Sequence, residues 1–309
     1  MKLVIDGTNL AFRAWKSIPM LTTSQGQRVE VVYGTLRMVK SLVEDFQPNS
    51  VLMTWDIGRS EDRMRIYPGY KSGRRERHKG EKDDFAVFIS QLGILQKALS
   101  LIGVASAMER GVEADDIIAE ASHSTADKVI IISNDLDFVQ LVNSRVFLFH
   151  PIRERLYTPE LIKKELEQTP AQYFLSRLLI GDTSDSIPGI QGVGKITAKA
   201  VIGHYKTLSK ILEAKPDDTV PKRVQTAVKK IHIGRYDILR NIHLMRLGCE
   251  AKIVEKAKHA LSEVEWVSPD LGAFKSLCEK YQFASVIVSF NAWREAFSGM
   301  TNPVGDLRL

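Results

Sequence analysis

Cysteine is nearly absent: the 309 residues contain only Cys249 and Cys278, far apart in sequence. The two could pair, but they read better as reduced, packed thiols. No apolar run approaches the roughly 20 residues that a membrane-spanning helix needs. Asp6 interrupts the stretch where the apolar core of a signal peptide would lie, so a cytoplasmic location and no membrane partner are expected. Internal repeats and low-complexity tracts are also missing. The seven histidines (residues 78, 123, 150, 204, 232, 243 and 259) stand outside every acidic motif. This argues against a zinc hydrolase and against a histidine general base.

What the chain does have is acid in clusters within a basic whole. There are 43 Lys and Arg against 37 Asp and Glu, a net charge of +6. Hydrophobic content of 44% with 26% charged residues is ordinary for a globular protein that buries a core. The length suits one large domain or two modest ones. Four short stretches end in carboxylates: Val4-Ile5-Asp6-Gly7-Thr8-Asn9, Gly111-Val112-Glu113-Ala114-Asp115-Asp116, Ser133-Asn134-Asp135-Leu136-Asp137 and Gly181-Asp182-Thr183-Ser184-Asp185. A fifth acid, Asp56, closes the apolar run Val51 to Trp55.

Lys2 to Ile5, Val51 to Trp55 and Val129 to Ile132 are continuous apolar runs, as strands are when both faces of a parallel sheet are covered. Helical spacing connects them, from Val31 to Phe46 and from Phe85 to Ile102. Residues 1–157 therefore read as an α/β domain with a mostly parallel central sheet flanked by helices. Ligands in such sheets sit beyond the carboxyl ends of the strands, where Asp6, Asp56, Asp135 and Asp137 fall. A like-charged pair about 4 Å apart costs roughly 4 kcal/mol at an effective dielectric near 20. Gathered carboxylates thus call for divalent cations, and hard oxygen donors select magnesium or manganese over zinc.

From Thr158 onward, residues 158–309 read as helical. Thr158-Pro159 and Thr169-Pro170 each place an N-cap before a proline, with Gln172 completing a capping box. Ser285 to Phe290 fits either a strand or a helix.

Two familiar motifs fail on inspection. Ile5-Asp6-Gly7-Thr8 imitates a phosphoaspartyl phosphatase, but Val4 stands where its nucleophile belongs. Gly189-Ile190-Gln191-Gly192-Val193-Gly194-Lys195 nearly makes a P-loop, but Ile196 replaces the magnesium-binding Ser or Thr and the segment follows a loop. It reads better as a helix-hairpin-helix turn, at about residues 181–205, in which Gly189, Gly192 and Gly194 let the backbone approach a DNA phosphate. Lys195 and Lys199 would add charge, and a monovalent cation such as K+ on the hairpin carbonyls suits this motif type. Residues 59–82 carry nine Lys or Arg and four Asp or Glu, with Tyr67, Tyr70 and His78 interleaved. Cations beside stacking faces point to nucleic acid.

In their order and spacing the four acidic signatures, Pro68-Gly69-Tyr70-Lys71 and Ile187-Pro188-Gly189 to Gly194 resemble the flap endonuclease / 5′-nuclease superfamily. The likeness is closest to bacteriophage 5′-to-3′ exonucleases and to the 5′-nuclease domain of bacterial repair DNA polymerases. It spans residues 2–205; beyond that only helical character matches. The resemblance implies two Mg2+ ions, with Mn2+ able to substitute. Asp6, Asp56, Glu113 and Asp115 would surround the first, Asp135, Asp137 and Asp185 the second, and Asp116 and Asp182 would serve as outer ligands. It also implies a basic helical arch at about residues 59–95, with Lys71 and either Arg74 or Arg75 on the scissile phosphate and Tyr70 stacked on a terminal base. With the sequence ending at Leu309, no polymerase domain is expected.

The expected activity is structure-specific 5′-nuclease hydrolysis leaving 5′-phosphates, acting as exonuclease and flap endonuclease in replication or repair. The expected partners are DNA with 5′ flaps, nicks or RNA primers and replication proteins such as single-stranded DNA-binding protein, with the enzyme a monomer. A PIN-like endoribonuclease and a non-catalytic junction-binding protein remain the alternatives.

Overall fold

The computed structural model describes residues 1–73, 82–215, 217 and 219–309. Its main sheet has six strands: β1 (Lys2–Asp6), β2 (Ser50–Ile57), β3 (Ala105–Arg110), β4 (Val129–Ile132), β5 (Val146–His150) and β6 (Arg155–Tyr157). Their order is β3-β2-β1-β4-β5-β6. The first five strands run parallel and β6 turns back antiparallel on β5. The three strands expected from apolar runs are β1, β2 and β4, the central ones. β3, β5 and β6 carry alternating or partly exposed residues, so no continuous apolar run marks them.

Successive strand residues point to opposite faces, and each face has its own core. Leu3, Ile5, Met53, Trp55 and Ile132 face one layer, formed by α1 (Gly7–Ser17), α2 (Glu30–Phe46) and α4 (Lys82–Leu101). Val4, Leu52, Ile131 and Leu148 face the other, which is covered by α5 (Ala114–His123). Between α2 and α4 lies the short α3 (Glu61–Ile66).

The helical half does not pack as one unit. Helices α6 (Pro159–Leu166) and α7 (Pro170–Ile180) start on the expected Thr158 and Thr169 caps, the second with a full capping box. Helices α7, α8 (Lys195–Tyr205), α9 (Leu208–Leu212), α10 (Lys222–Ile233) and α11 (Arg235–Met245) share a third apolar cluster of their own. By contrast α12 (Ala251–Ser262) lies on α5, while α13 (Leu271–Lys280), α14 (Ala284–Val288) and α15 (Phe290–Phe297) join the α2 layer. The ambiguous Ser285–Phe290 stretch thus belongs to two short helices that meet at Ser289, with Val286 buried in the helix layer and Val288 exposed. The last residues return to the amino ends of the strands. The Lys2 ammonium donates to the Pro303 carbonyl at 2.6 Å and pairs with Asp306. Thr301 N–H donates to Asn49 O at 2.9 Å. Among the described residues no helix is long and apolar enough to cross a membrane.

Trp293 is 2% exposed; it stacks on Phe297 and meets the Phe274 ring at a tilt within the α2 layer. Trp293→Ala is expected to cost about 3–5 kcal/mol. Urea unfolding followed by far-UV circular dichroism would show the loss in the main transition; a separate early transition would mean that residues 271–297 fold apart from the sheet.

Candidate metal centre

Strand order reverses at β1, whose neighbours are β2 on one side and β4 on the other, and this opens a crevice at the carboxyl ends of the strands. Asp6 ends β1 and also caps α1: one carboxylate oxygen accepts from Asn9 N–H at 3.0 Å and the other from Ser133 Oγ at 3.0 Å. Asp56 stands opposite Glu109 in the β2/β3 register and accepts from Ala114 N–H at 3.0 Å. Asp135, just past β4, caps the 3-10 turn Leu136–Leu141. Three helical N-termini therefore point their positive ends at this crevice, which favours anions there.

The acids act on each other. Burial, then the charges of Asp56 and Asp135, push the Asp6 carboxyl up to about 7. Burial, then Asp6 and Asp135, push Asp115 well above the carboxylate range. Asp6, Asp56, Asp115 and Asp135 thus share one electrostatic field. Among the described residues no three His, Cys, Asp or Glu side chains close around a point tightly enough to hold an ion as they stand. The donor set still fits a divalent cation: every donor is a hard oxygen, and the Asp6 and Asp115 carboxyls resist ionisation without a counter-charge.

Beside this field stands a buried ion network. Glu113 accepts from Lys71 Nζ at 2.7 Å, Tyr70 Oη at 2.8 Å and Arg63 at 2.9 Å. Burial alone would raise its pKa, but Lys71 and Arg63 outweigh that and hold it below the usual range. Arg63 is 2% exposed; it grips both Asp116 oxygens at 2.6 and 2.9 Å and donates to the Leu244 carbonyl at 3.0 Å. Burial, reinforced by the Glu113 charge, pushes the Tyr70 phenol far up, so it stays a donor. Lys71 sits in the left-handed region at φ 55°, strained for a lysine, and its N–H bonds the Asp185 carbonyl at 2.8 Å. Its ammonium is 3.9 Å from the Asp185 carboxylate. A third cation, Arg177 on α7, bridges Asp137 at 3.0 Å and Asp182 at 2.6 Å.

These contacts correct several expectations. Tyr70 is no free stacking face, because its ring is 5% exposed and packs in the cluster formed by the helical region. Asp116 is Arg63's counter-ion, with both oxygens taken. Asp182 folds the loop that carries Asp185: its oxygens accept from Ser184 N–H at 2.7 Å, Ser184 Oγ at 2.6 Å and Arg177. Glu113 and Asp137 reach the site, but each already holds a cationic partner. Of the expected arch, residues 59–73 and α4 are described; Arg74 and Arg75 lie outside the described residues. Sequence reasoning also missed Arg63, Arg177 and Ser133. Arg177 carried a signal, being the one cation in the apolar stretch Phe174 to Ile180. Arg63 carried none among its basic neighbours.

At the hairpin, β7 (Gly181–Asp182) pairs with β8 (Ile187–Pro188), so the turn is entered from a two-residue strand rather than from a loop. A Cβ on Gly189 would collide with the Ile180 carbonyl, so packing alone demands that glycine. Gly192 has φ +73°, which favours glycine on its own account. Gly194 caps α8 without a side-chain bond, leaving exposed Lys195 at the start of the helix. Lys199 pairs with Glu167 on the surface.

Two family models match the chain in succession: "5′-3′ exonuclease, N-terminal resolvase-like domain" over residues 1–167, and "5′-3′ exonuclease, C-terminal SAM fold" over residues 168–266. The chain belongs to the 5′-3′ exonuclease family. Its relatives include the 5′-3′ exonuclease of Aquifex aeolicus, 32% identical over 68% of this chain and 71% of that protein. Thermostable DNA polymerase I of Thermus thermophilus is 29% identical over 93% of this chain. The chain spans only 33% of that polymerase's length. Among solved structures, the T5 5′-exonuclease with bound zinc aligns with a TM-score of 0.70 at 22% identity, over 85% of this chain and 99% of that one. A Rad2 catalytic core in complex with DNA aligns at 0.59 and 17% identity, over 94% and 92%. Both share the fold.

Two outcomes test the site of this exonuclease-family chain. In metal-free protein the penalty for ionising Asp6 is absent below about pH 4 and grows until the pH passes about 7. Stability is therefore lost as the pH rises through that window. Differential scanning fluorimetry should show magnesium raising the Tm more at about pH 8 than at about pH 5; an equal rise at both would sink the reading. Arg63→Met leaves Glu113 and Asp116 short of their shared cation and should cost about 3–5 kcal/mol in urea unfolding.

Proposed function

We propose that this chain is a magnesium-dependent 5′-nuclease that hydrolyses phosphodiesters near the 5′ ends of flaps, nicks and RNA primers during replication or repair. The observation that carries this is the shared field of Asp6, Asp56, Asp115 and Asp135 at the crevice, with Lys71 held beside it. Asp6, Asp56 and Asp115, with Glu113 at the edge, would hold a first divalent ion; Asp135, Asp137 and Asp185 would hold a second. Such a pair would supply Lewis-acid activation of water and would neutralise charge on the phosphate as it is displaced.

The chain's own residues do the positioning. Ser133 and Asn9 orient the two oxygens of Asp6, and Asp135 is fixed by the Asp137 N–H at 2.8 Å. Lys71 lies between Glu113 and Asp185, so its ammonium can turn toward a phosphate and neutralise charge that develops on it. Its backbone is tied to the loop of Asp185 by the bond from its N–H to the Asp185 carbonyl at 2.8 Å. Membership of the 5′-3′ exonuclease family supports the direction of cleavage, and the hairpin with Lys195 supports a duplex arm lying across α8.

The test is cleavage of 5′-flap, nicked and RNA-primed duplexes with magnesium and with a chelator; equal cleavage in the chelator ends the proposal. Asp135→Asn should lower the single-turnover rate by ~10²-fold or more while DNA binding in chelator is kept. Lys71→Ala should cost ~10²–10³-fold in the same assay.

A further inference from the structure

Beside the hairpin lies a second turn that the site does not use. It joins α10 to α11 as Lys230-Ile231-His232-Ile233-Gly234-Arg235-Tyr236. The two turns touch: a Cβ on Gly192 would meet the Lys230 ammonium, and one on Gly234 would meet the Ile190 side chain. Arg223, earlier on α10, donates to Thr197 Oγ1 on α8 at 2.8 Å, which ties the same pair of elements further along.

The combined face has an unusual composition. Ile233 is 83% exposed, Ile196 71% and Tyr236 69%, and the Arg235 guanidinium lies 4.9 Å from the Tyr236 ring centre. Lys195, Lys230 and Arg235 are all exposed, and among the described residues none of them is paired with a carboxylate. The neighbouring acid, Asp237, is already neutralised by Arg240 at 2.8 Å. Burying three unpaired cations against an ordinary protein surface would be costly. A polyanion neutralises them and gains from counterion release.

We propose that the Lys230–Tyr236 turn is a second DNA-contact element, which with the hairpin tracks the backbone of one strand in a duplex arm of the substrate. Lys195, Lys230 and Arg235 take phosphates, while Ile233 and Tyr236 lie against the sugars between them. This rests on the proposed nuclease function and names where its substrate's duplex arm sits.

The test is fluorescence anisotropy in chelator, where no cleavage occurs, with a flapped duplex and with a single strand of equal length across a salt series. Each lost phosphate contact lowers the slope of log K against log salt by about 0.9. Lys230→Gln/Arg235→Gln should therefore flatten the flapped-duplex slope by about 2 and leave single-strand binding unchanged. Ile233→Ser/Tyr236→Ser should bind the duplex roughly tenfold more weakly with its slope unchanged. All four positions are exposed on the surface, so each variant should keep the wild-type Tm. If wild type cleaves the flap but both variants bind it as wild type does, this inference falls alone. If wild type neither binds nor cleaves it, the nuclease reading falls as well.

Discussion

Mutual repulsion among carboxylates at the ends of parallel strands is the constraint on which this molecule turns. The sheet order brings β1, β2 and β4 side by side, so acids far apart in sequence face one crevice whether or not their charges are comfortable there. Burial raises the cost of each charge and proximity raises it again, which is why the Asp6 carboxyl climbs to about 7. The fold tolerates this because helix N-termini and backbone N–H groups converge on the same place.

Around that strained centre the protein places its own cations. Arg63 holds Glu113 and Asp116 while reaching the carbonyl of Leu244 at the end of α11; Lys71 spans Glu113 and Asp185; Arg177 spans Asp137 and Asp182. Each ties an acid of the sheet layer to the helical region. The ion pairs therefore do two things together: they neutralise charge and they fix how the hairpin-bearing helices sit over the crevice. That coupling holds the hairpin and the acidic crevice in one frame.

The helical region is likewise two things. Helices α7 to α11 form a body with their own apolar cluster, while α12 to α15 return to cover the sheet. The last residues tie back to Lys2 and Asn49 at the opposite ends of the strands from the acids. The crevice is thus left open at one end of the sheet while the chain terminus closes the other.

Much of this was legible in the residues. Continuous apolar runs located β1, β2 and β4, the proline-preceded caps at Thr158 and Thr169 located two helices, and the acidic stretches at strand ends named the crevice before any contact was known. Those signals are local: burial on both faces writes itself into every residue of a strand, and a cap is set by a few neighbours along the chain. The half-exposed β3, β5 and β6 wrote no such pattern. Which acid keeps a free oxygen was likewise not written there, because that depends on partners far away in sequence. Asp116 and Tyr70 look like outer ligand and stacking face in the linear order, and once the chain is folded they pair with Arg63 and Glu113. Sequence alone determined the chemistry available, hard oxygen donors inside a basic chain. Only the tertiary structure decided which donors stay open, since charge pairing acts through space and takes no account of position along the backbone.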